Sequence, residues 1–349
     1  MQLQERIQAF SKLGRIFRQF VNPESRLEQD HHTSILEKAL SEASANNPWF
    51  TPGNMKLALT ALGEVLREES LKTWLNPYFL PDYPAHVKTI GLIAAGNIPL
   101  VGFHDMLCVL ITGHKCLMKL SGKDKHLPEA VGQILVDIEP QFRQYLSFTT
   151  DTLHNYDAVI ATGSNNSSRY FEYYFRDYPH IIRKNRNAVA ILSGNESQAE
   201  LQLLADDIFQ YFGLGCRNVS MLYFPEEYNI PGLIDAFQDY GDLVNYHKYA
   251  NNYEYNRAVY LVNRIPHYDS GFVLLKEDKK LASPLAVLHY QYYKDVDLLR
   301  EQLKAEQENI QCIVSGLKEL NHVPFGQTQT PQLWDYADSM DTIRFLTTL

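Results

Sequence analysis

Leu3, Ile7, Phe10, Leu13, Phe17 and Phe20 recur at three- and four-residue spacing, which winds into one apolar stripe along a helix. A second helical pattern runs from about Thr33 to Ala45. A third runs from Thr51 to Glu68, where Thr51 supplies a cap and Pro52 suits the first turn. Residues 1–75 therefore read as helices. The basic residues Arg6, Lys12, Arg15 and Arg18 could give the first helix a face for an anionic membrane surface. Its stripe is that of an ordinary core-facing helix, so packing on the protein body is the expectation.

From about residue 86 short apolar runs alternate with helical ones. Val87–Ala94 reads as a buried strand and Pro99–Thr112 as a helix, then Lys115–Leu120 as a strand and Leu127–Tyr145 as a helix. Ala158–Thr162 is a strand, Ser167–Tyr174 a short helix, Ala188–Ser193 a strand and Ser197–Phe212 a helix. This alternation predicts a parallel sheet covered on both faces. Beyond Gly215 come Val219–Phe224, a helix at Leu233–Phe237 and a Tyr/Asn-rich stretch at 240–260. Runs at Phe272–Lys276 and Leu285–Tyr290, a charged helix at 294–308 and a strand at Cys312–Ser315 complete a second α/β domain. The length of 349 residues suits this division, being too long for one ordinary core.

Composition narrows the function classes. At 45% hydrophobic and 21% charged the chain is globular, and its net charge of −9 disfavours a general nucleic-acid surface. The longest apolar run, Ile90–Val101, is broken by Gly91, Gly96, Asn97 and Pro99 and falls short of the roughly 20 residues of a membrane span. Met1–Arg6 has no basic and apolar leader pattern. The four cysteines, Cys108, Cys116, Cys216 and Cys312, are too few for a disulfide framework, so a cytoplasmic protein with reduced thiols is expected.

The usual phosphate-binding signatures, GxxxxGK[ST] and GxGxxG, are missing. Instead the first strand ends in Ala94-Ala-Gly-Asn-Ile-Pro-Leu-Val-Gly102, where Gly96 permits a tight turn, Asn97 offers an amide and Pro99 suits the first turn of the next helix. Such an edge is where open α/β sheets bind ligands, though the same residues also make an ordinary strand-to-helix turn. The next strand ends in Met118-Lys-Leu-Ser-Gly-Lys-Asp-Lys125, where Lys119 can reach a ribose hydroxyl or phosphate, unless the run is simply a solvated loop. The third ends in Ala161-Thr-Gly-Ser-Asn-Asn-Ser-Ser-Arg169, which offers backbone N–H groups to a pyrophosphate and a cap to the helix. Cys216 follows Gly213 and Gly215, and Arg217 beside it can favour a thiolate. The other three cysteines lie in apolar runs and read as buried core thiols. His104, Cys108, His114 and Cys116 match no zinc spacing, and no metal is expected.

Three sheet-edge motifs followed by a glycine-flanked cysteine resemble the aldehyde dehydrogenase superfamily. More closely, the chain resembles the LuxC-type acyl-CoA (fatty acyl) reductases. The match runs through residues 94–104, Lys119 with Ser121, Thr162-Gly-Ser164 and Gly213-Leu-Gly-Cys-Arg-Asn218, and on into Pro324-Phe-Gly326 and Asp335-Tyr-Ala-Asp-Ser-Met-Asp-Thr342. The resemblance implies Cys216 as nucleophile and Asn97 as the oxyanion amide. It also implies Lys119, with Ser121, on the adenine ribose and Gly163 with Ser164 beneath the pyrophosphate. The implied fold is aldehyde-dehydrogenase-like, with two parallel-sheet α/β domains after an N-terminal helical segment. Its implied division is a cofactor domain over 1–184, a cysteine domain over 185–325 and a return segment over 326–349.

Aldehyde-oxidising members of that superfamily carry a glutamate upstream of the nucleophile that activates water. The corresponding stretch here, His180-Ile-Ile-Arg-Lys-Asn-Arg-Asn187, holds no carboxylate. A cysteine thioester should then hydrolyse slowly, which suits a reductase that consumes its thioester with hydride. The implied activity is NADPH-dependent reduction of an acyl-CoA, or another acyl thioester, to an aldehyde. Two alternatives stay open: a cofactor- or acyl-binding partner subunit that has lost turnover, and a semialdehyde dehydrogenase working through an acyl phosphate. NADP(H) is expected ahead of NAD(H), because members preferring NAD carry a glutamate where this chain has Gly122, and Lys123 and Lys125 add positive charge. Asp124 between them is expected to blunt that preference. The chain is shorter than typical members and ends soon after Leu346, so homo-oligomerisation or an acyl-donating partner protein is left open.

Overall fold

The computed structural model describes residues 1–22, 31–317 and 322–349. The helical reading of 1–75 includes residues 23–30, which lie outside the described residues. By contact density the chain divides into two compact units, Met1–Lys184 with Gln332–Leu349, and Asn185–Pro331.

The first unit opens with helices α1 (Leu3–Val21), α2 (His31–Asn46), α3 (Pro52–Val65) and α4 (Glu68–Leu75). Ile7, Phe10, Leu13, Phe17 and Phe20 of α1 are all buried, so the stripe faces the core as its spacing requires. Thr51 caps α3 by accepting a hydrogen bond from Asn54 N at 3.2 Å, with Pro52 in the first turn. Two of the four basic residues of α1 are turned into the protein rather than outward. Arg6 is 1% exposed and donates to the carbonyls of Met1, Asp82 and Ile111, and Arg18 donates to that of Gly63. No helix among the described residues is long and apolar enough to cross a membrane.

Next come β1 (Thr89–Ile93), α5 (Phe103–Ile111), β2 (Lys115–Lys119), α6 (His126–Ile138), β3 (Leu146–Thr149), β4 (Ala158–Thr162), α7 (Asn165–Phe175) and β5 (His180–Arg183). The five strands are parallel, in the order β3-β2-β1-β4-β5. Strands β3 and β5 are absent from the sequence reading. Both are four-residue edge strands; β3 has irregular burial, and in β5 the alternation is masked because one of its two buried positions is Arg183. The helix expected over Leu127–Tyr145 stops at Ile138, because Pro140 cannot continue it and a 3₁₀ turn takes over.

The closing segment, with α12 (Thr342–Thr347), packs back on this unit. His114 Nδ1 accepts from Lys88 N at 3.2 Å and its Nε2 donates to Leu346 O at 3.1 Å, which requires the neutral ring; His104 Nε2 lies 2.9 Å from Leu333 O. Burial holds both imidazoles below the usual 6.5. The unfolded rings bind protons more readily, so their stabilisation is complete above pH 6.5 and drains away as pH falls towards the folded values. The stability that His114 adds, read as the urea midpoint of wild type minus that of His114→Gln, should therefore shrink between about pH 7 and pH 5. A difference that stays constant over that range would refute the assignment of a neutral ring.

The second unit contains β6 (Asn187–Ile191), α8 (Gln198–Phe209), β7 (Val219–Pro225), α9 (Ile230–Ala236), α10 (His247–Val262), β8 (Tyr268–Asp269), β9 (Leu274–Glu277), β10 (Val287–Tyr293), α11 (Val296–Ala305) and β11 (Ile310–Ser315). Its sheet order is β11-β6-β7-β10-β9-β8, parallel except for the β8–β9 pair. Helix α10 occupies the Tyr/Asn-rich stretch. Its buried residues Tyr249, Tyr253, Asn256 and Tyr260 fall four, three and four apart, a helical period that the polar hydroxyls and amides disguise.

Candidate active site

The first unit brings three loops to the carboxyl ends of adjacent parallel strands. Ile93 of β1 pairs with Lys119 of β2 on one side and Ala161 of β4 on the other, so the segments bearing Asn97, Lys119 with Ser121, and Gly163 with Ser164 leave one sheet edge together. Helix α5 does not begin at Pro99 as expected. It begins at Phe103, because Leu100 takes a left-handed conformation at φ 56° and the chain first turns through Asn97–Gly102. This turn lies hard against its neighbour: a Cβ on Gly96 would sit 2.3 Å from Ser121 Oγ and 3.0 Å from Lys123 Cβ.

The loop after Lys119 is held from both sides. Ser121 Oγ accepts from Lys123 N at 3.3 Å, while Asn46 and Asn47 of the α2 end donate to the carbonyls of Gly122 and Lys123 at 2.8 and 3.3 Å. Lys123 is exposed, and Gly122 has open space where a side chain would go. Asp124 is corrected by the structure. Its carboxylate is buried and accepts from Leu100 N at 2.8 Å, so it does not stand among the lysines as an opposing surface charge. Ser164 caps α7 by accepting from Ser167 N at 3.2 Å, which commits its hydroxyl to the helix and leaves the N–H groups of Asn165 and Asn166 for an anion.

Cys216 belongs to the second unit. After α8 the chain runs through Tyr211, Phe212 and Gly213, all left-handed at φ 53°, 59° and 74°, and then through Gly215 and Cys216 into β7. Non-glycine residues in this region cost about 1 kcal/mol or more each, so neighbouring contacts must hold them there. Phe212 stacks on Tyr246 with ring centroids 4.5 Å apart. Asn218 does more. Its Nδ2 donates to the carbonyls of Asp207, Ile208 and Gln210 at 3.1, 3.3 and 2.9 Å, satisfying the last turn of α8, and its Oδ1 accepts from Gly215 N at 2.8 Å. One buried amide therefore fixes the helix end and the cysteine loop together. The sequence signal for Asn218 is slight, an asparagine closing a glycine-rich turn before a strand.

Cys216 is exposed, unlike the buried Cys108 and Cys116, whose thiols burial pushes up. Cys312, expected in the core, is only half-buried because β11 is an edge strand. Cys216 opens on a cavity of about 240 Å³ at the amino-terminal ends of β6, β7 and β10, lined also by Asn187, Phe212, Ser220, Tyr249 and Leu285. No Asp or Glu among the described residues lines it. Arg217, next to Cys216 in sequence, donates from Nε to Thr328 O at 2.7 Å. That segment is anchored by Asp207, whose two oxygens accept from Gly326 N at 2.7 Å and Thr328 N at 3.0 Å, which accounts for the Pro324-Phe-Gly326 motif. Burial pushes the Asp207 carboxyl up to about 6 against those two hydrogen bonds. The stretch that would hold a water-activating glutamate is taken by β5 and its exit, and Arg183 there is buried with Asp105 and Thr342.

No family model matches the chain. The long-chain acyl-protein thioester reductase of Vibrio harveyi is 21% identical over 243 residues, which cover 62% of this chain and 50% of that protein. The chain thus spans about half the length of this curated relative. Aldehyde dehydrogenase 21 from Physcomitrella patens, in complex with succinate, has a TM-score of 0.65 at 14% identity, covering 100% of this chain and 84% of that one. A Mycobacterium tuberculosis aldehyde dehydrogenase complexed with NAD+ has a TM-score of 0.60 at 12% identity, covering 89% and 74%. The chain has the aldehyde dehydrogenase fold, and among curated proteins it is similar to a LuxC-type reductase.

Proposed function

We propose that this chain is an aldehyde-forming acyl thioester reductase that uses Cys216 as its nucleophile and NADPH as its reductant. The observation that carries the reading is an exposed cysteine on a rigidly held loop, facing a cavity whose described lining holds no carboxylate. The relatives agree in kind, since one reduces acyl-protein thioesters by name and others were solved with NAD+.

The Cys216 thiolate attacks the thioester carbonyl, the bond to the leaving thiol breaks, and the acyl group stays on Cys216. The Asn97 amide and the Cys216 backbone N–H are assigned to the oxyanion, a role worth about 3 kcal/mol per donor in comparable sites. The residues of the first unit fit a dinucleotide: Lys119 for the adenine ribose, Ser121 beside it, and the α7 amino terminus after Gly163-Ser164 for the pyrophosphate. When bound, the reduced dinucleotide supplies the hydride that converts the thioester to a thiohemiacetal. Collapse of that adduct releases the aldehyde and restores the thiol. With no carboxylate among the described residues lining the cavity to activate water, hydrolysis of the acyl-enzyme is slow.

A panel of acyl-CoAs assayed with NADPH tests the reading, with aldehyde formation as the expected result. Cofactor binding without acylation of Cys216 would point to a binding subunit, and turnover restricted to acyl phosphates to a semialdehyde dehydrogenase.

Cofactor choice follows from the loop after Lys119. Gly122 leaves the ribose position without a carboxylate, Ser121 and Lys123 can meet a 2′-phosphate, and the Asp124 carboxyl turns inward onto Leu100 N rather than towards that position. Such contacts are worth about 1–3 kcal/mol, or roughly 5- to 150-fold in favour of NADPH. Gly122→Glu fits the open space and should reverse much of that preference. Titration of both cofactors at low ionic strength checks it, and unchanged discrimination in the variant would refute the assignment.

A further inference from the structure

Asp124 is out of place by ordinary rules. It is 4% exposed, and no ion pair reaches it among the described residues although Lys123 and Lys125 flank it in sequence. Its Oδ2 accepts from Leu100 N at 2.8 Å, its backbone N donates to Ser121 O at 3.1 Å, and its Oδ1 is buried without a hydrogen-bond partner among the described residues. Burial pushes the carboxyl up to about 7, with the Leu100 N–H pulling the other way.

Its position says what it does. Leu100, which it holds, is the left-handed residue that lets the chain turn between Asn97 and α5. Asp124 itself ends the tight turn that follows Lys119, and Gly96 packs directly on Ser121 of that turn. We propose that Asp124 is a positioning residue that ties the loop carrying Asn97 to the loop following Lys119, so that the amide and the cofactor edge are held as one body. Its effect on turnover rests on the reductase reading above; the tether itself does not.

The experiment combines Asp124→Ala, Asp124→Asn and Asn97→Ala in the full chain, with thermal unfolding to confirm that each variant is folded. Asp124→Ala strands the Leu100 N–H, whereas Asp124→Asn keeps an accepting oxygen. The expected result is a kcat loss of ~10- to 100-fold for Asp124→Ala and recovery to within about threefold for Asp124→Asn. In the Asn97→Ala background, Asp124→Ala should cost less than about twofold more, because both act through one amide. A purely structural residue would give additive losses. Amide exchange over residues 96–102 provides a readout without substrate, and it should quicken in Asp124→Ala but not in Asp124→Asn. Additive kcat losses, or exchange unchanged in Asp124→Ala, would overturn the proposal. A wild-type chain that reduces no acyl thioester would remove the reductase reading and the effect on turnover with it, while the exchange result still decides the tether.

Discussion

Cys216→Ala loses acyl thioester reduction by on the order of 10⁴-fold or more, while its affinity for NADPH stays within about twofold of wild type. In the proposed mechanism the thiol supplies a covalent intermediate rather than ground-state contacts, and the proposed cofactor residues Lys119, Ser121, Gly163 and Ser164 are untouched. The loop should also keep its shape without the sulfur, because Asn218 holds Gly215 and the α8 carbonyls through its own amide. Stopped assays of aldehyde formation, paired with NADPH titration by fluorescence, check both halves. Retained turnover in Cys216→Ala would remove the nucleophile from the mechanism. Loss of both activity and binding would show that Cys216 supports the structure instead.

The second large effect is on stability. Arg183→Met should destabilise the first unit by about 3–5 kcal/mol, because it leaves the Asp105 carboxylate buried without its cation. Both side chains are 5% exposed, and Arg183 also donates to Thr342 Oγ1 at 2.8 Å, so the pair fastens β5, α5 and the start of α12 together. Converting both partners to apolar residues, Arg183→Met with Asp105→Leu, should recover most of the loss, since no lone charge then remains inside. Urea unfolding of the three proteins decides this. A single-variant loss below about 1 kcal/mol would mean that water reaches the pair.

The parts of the fold legible in the sequence were those whose signal is local. The stripe from Leu3 to Phe20, the Thr51-Pro52 start and the buried strand Ala158–Thr162 each declare themselves within one element. Edge strands β3 and β5 did not: each is only four residues long, and in β5 an arginine, Arg183, fills one of the two buried positions. Helix α10 hid behind tyrosine and asparagine, residues whose buried rings and exposed hydroxyls blur the apolar period.

The candidate site divides in the same way. The motifs ending at Asn97, Lys119 and Ser164 could be located from strand ends alone, because parallel topology sends such loops to one edge. What the side chains do there could not. Asp124 read as a charge between two lysines and instead holds backbone at Leu100, and Arg217, read beside the thiol, also donates to Thr328 O. Asn218 reaches back to the carbonyls of Asp207, Ile208 and Gln210, a relation set by the left-handed turn between them and invisible in a linear reading.

The central claim is that the acyl group on Cys216 is discharged by hydride and not by water. Intact-mass measurement after mixing the chain with an acyl-CoA, first without and then with NADPH, tests it most directly. The predicted result is a single acyl adduct on Cys216 that persists for many minutes without reductant, then disappears on addition of NADPH as aldehyde forms in equal amount. An adduct that clears without NADPH to yield the free acid, or no adduct on Cys216 at all, would contradict the account.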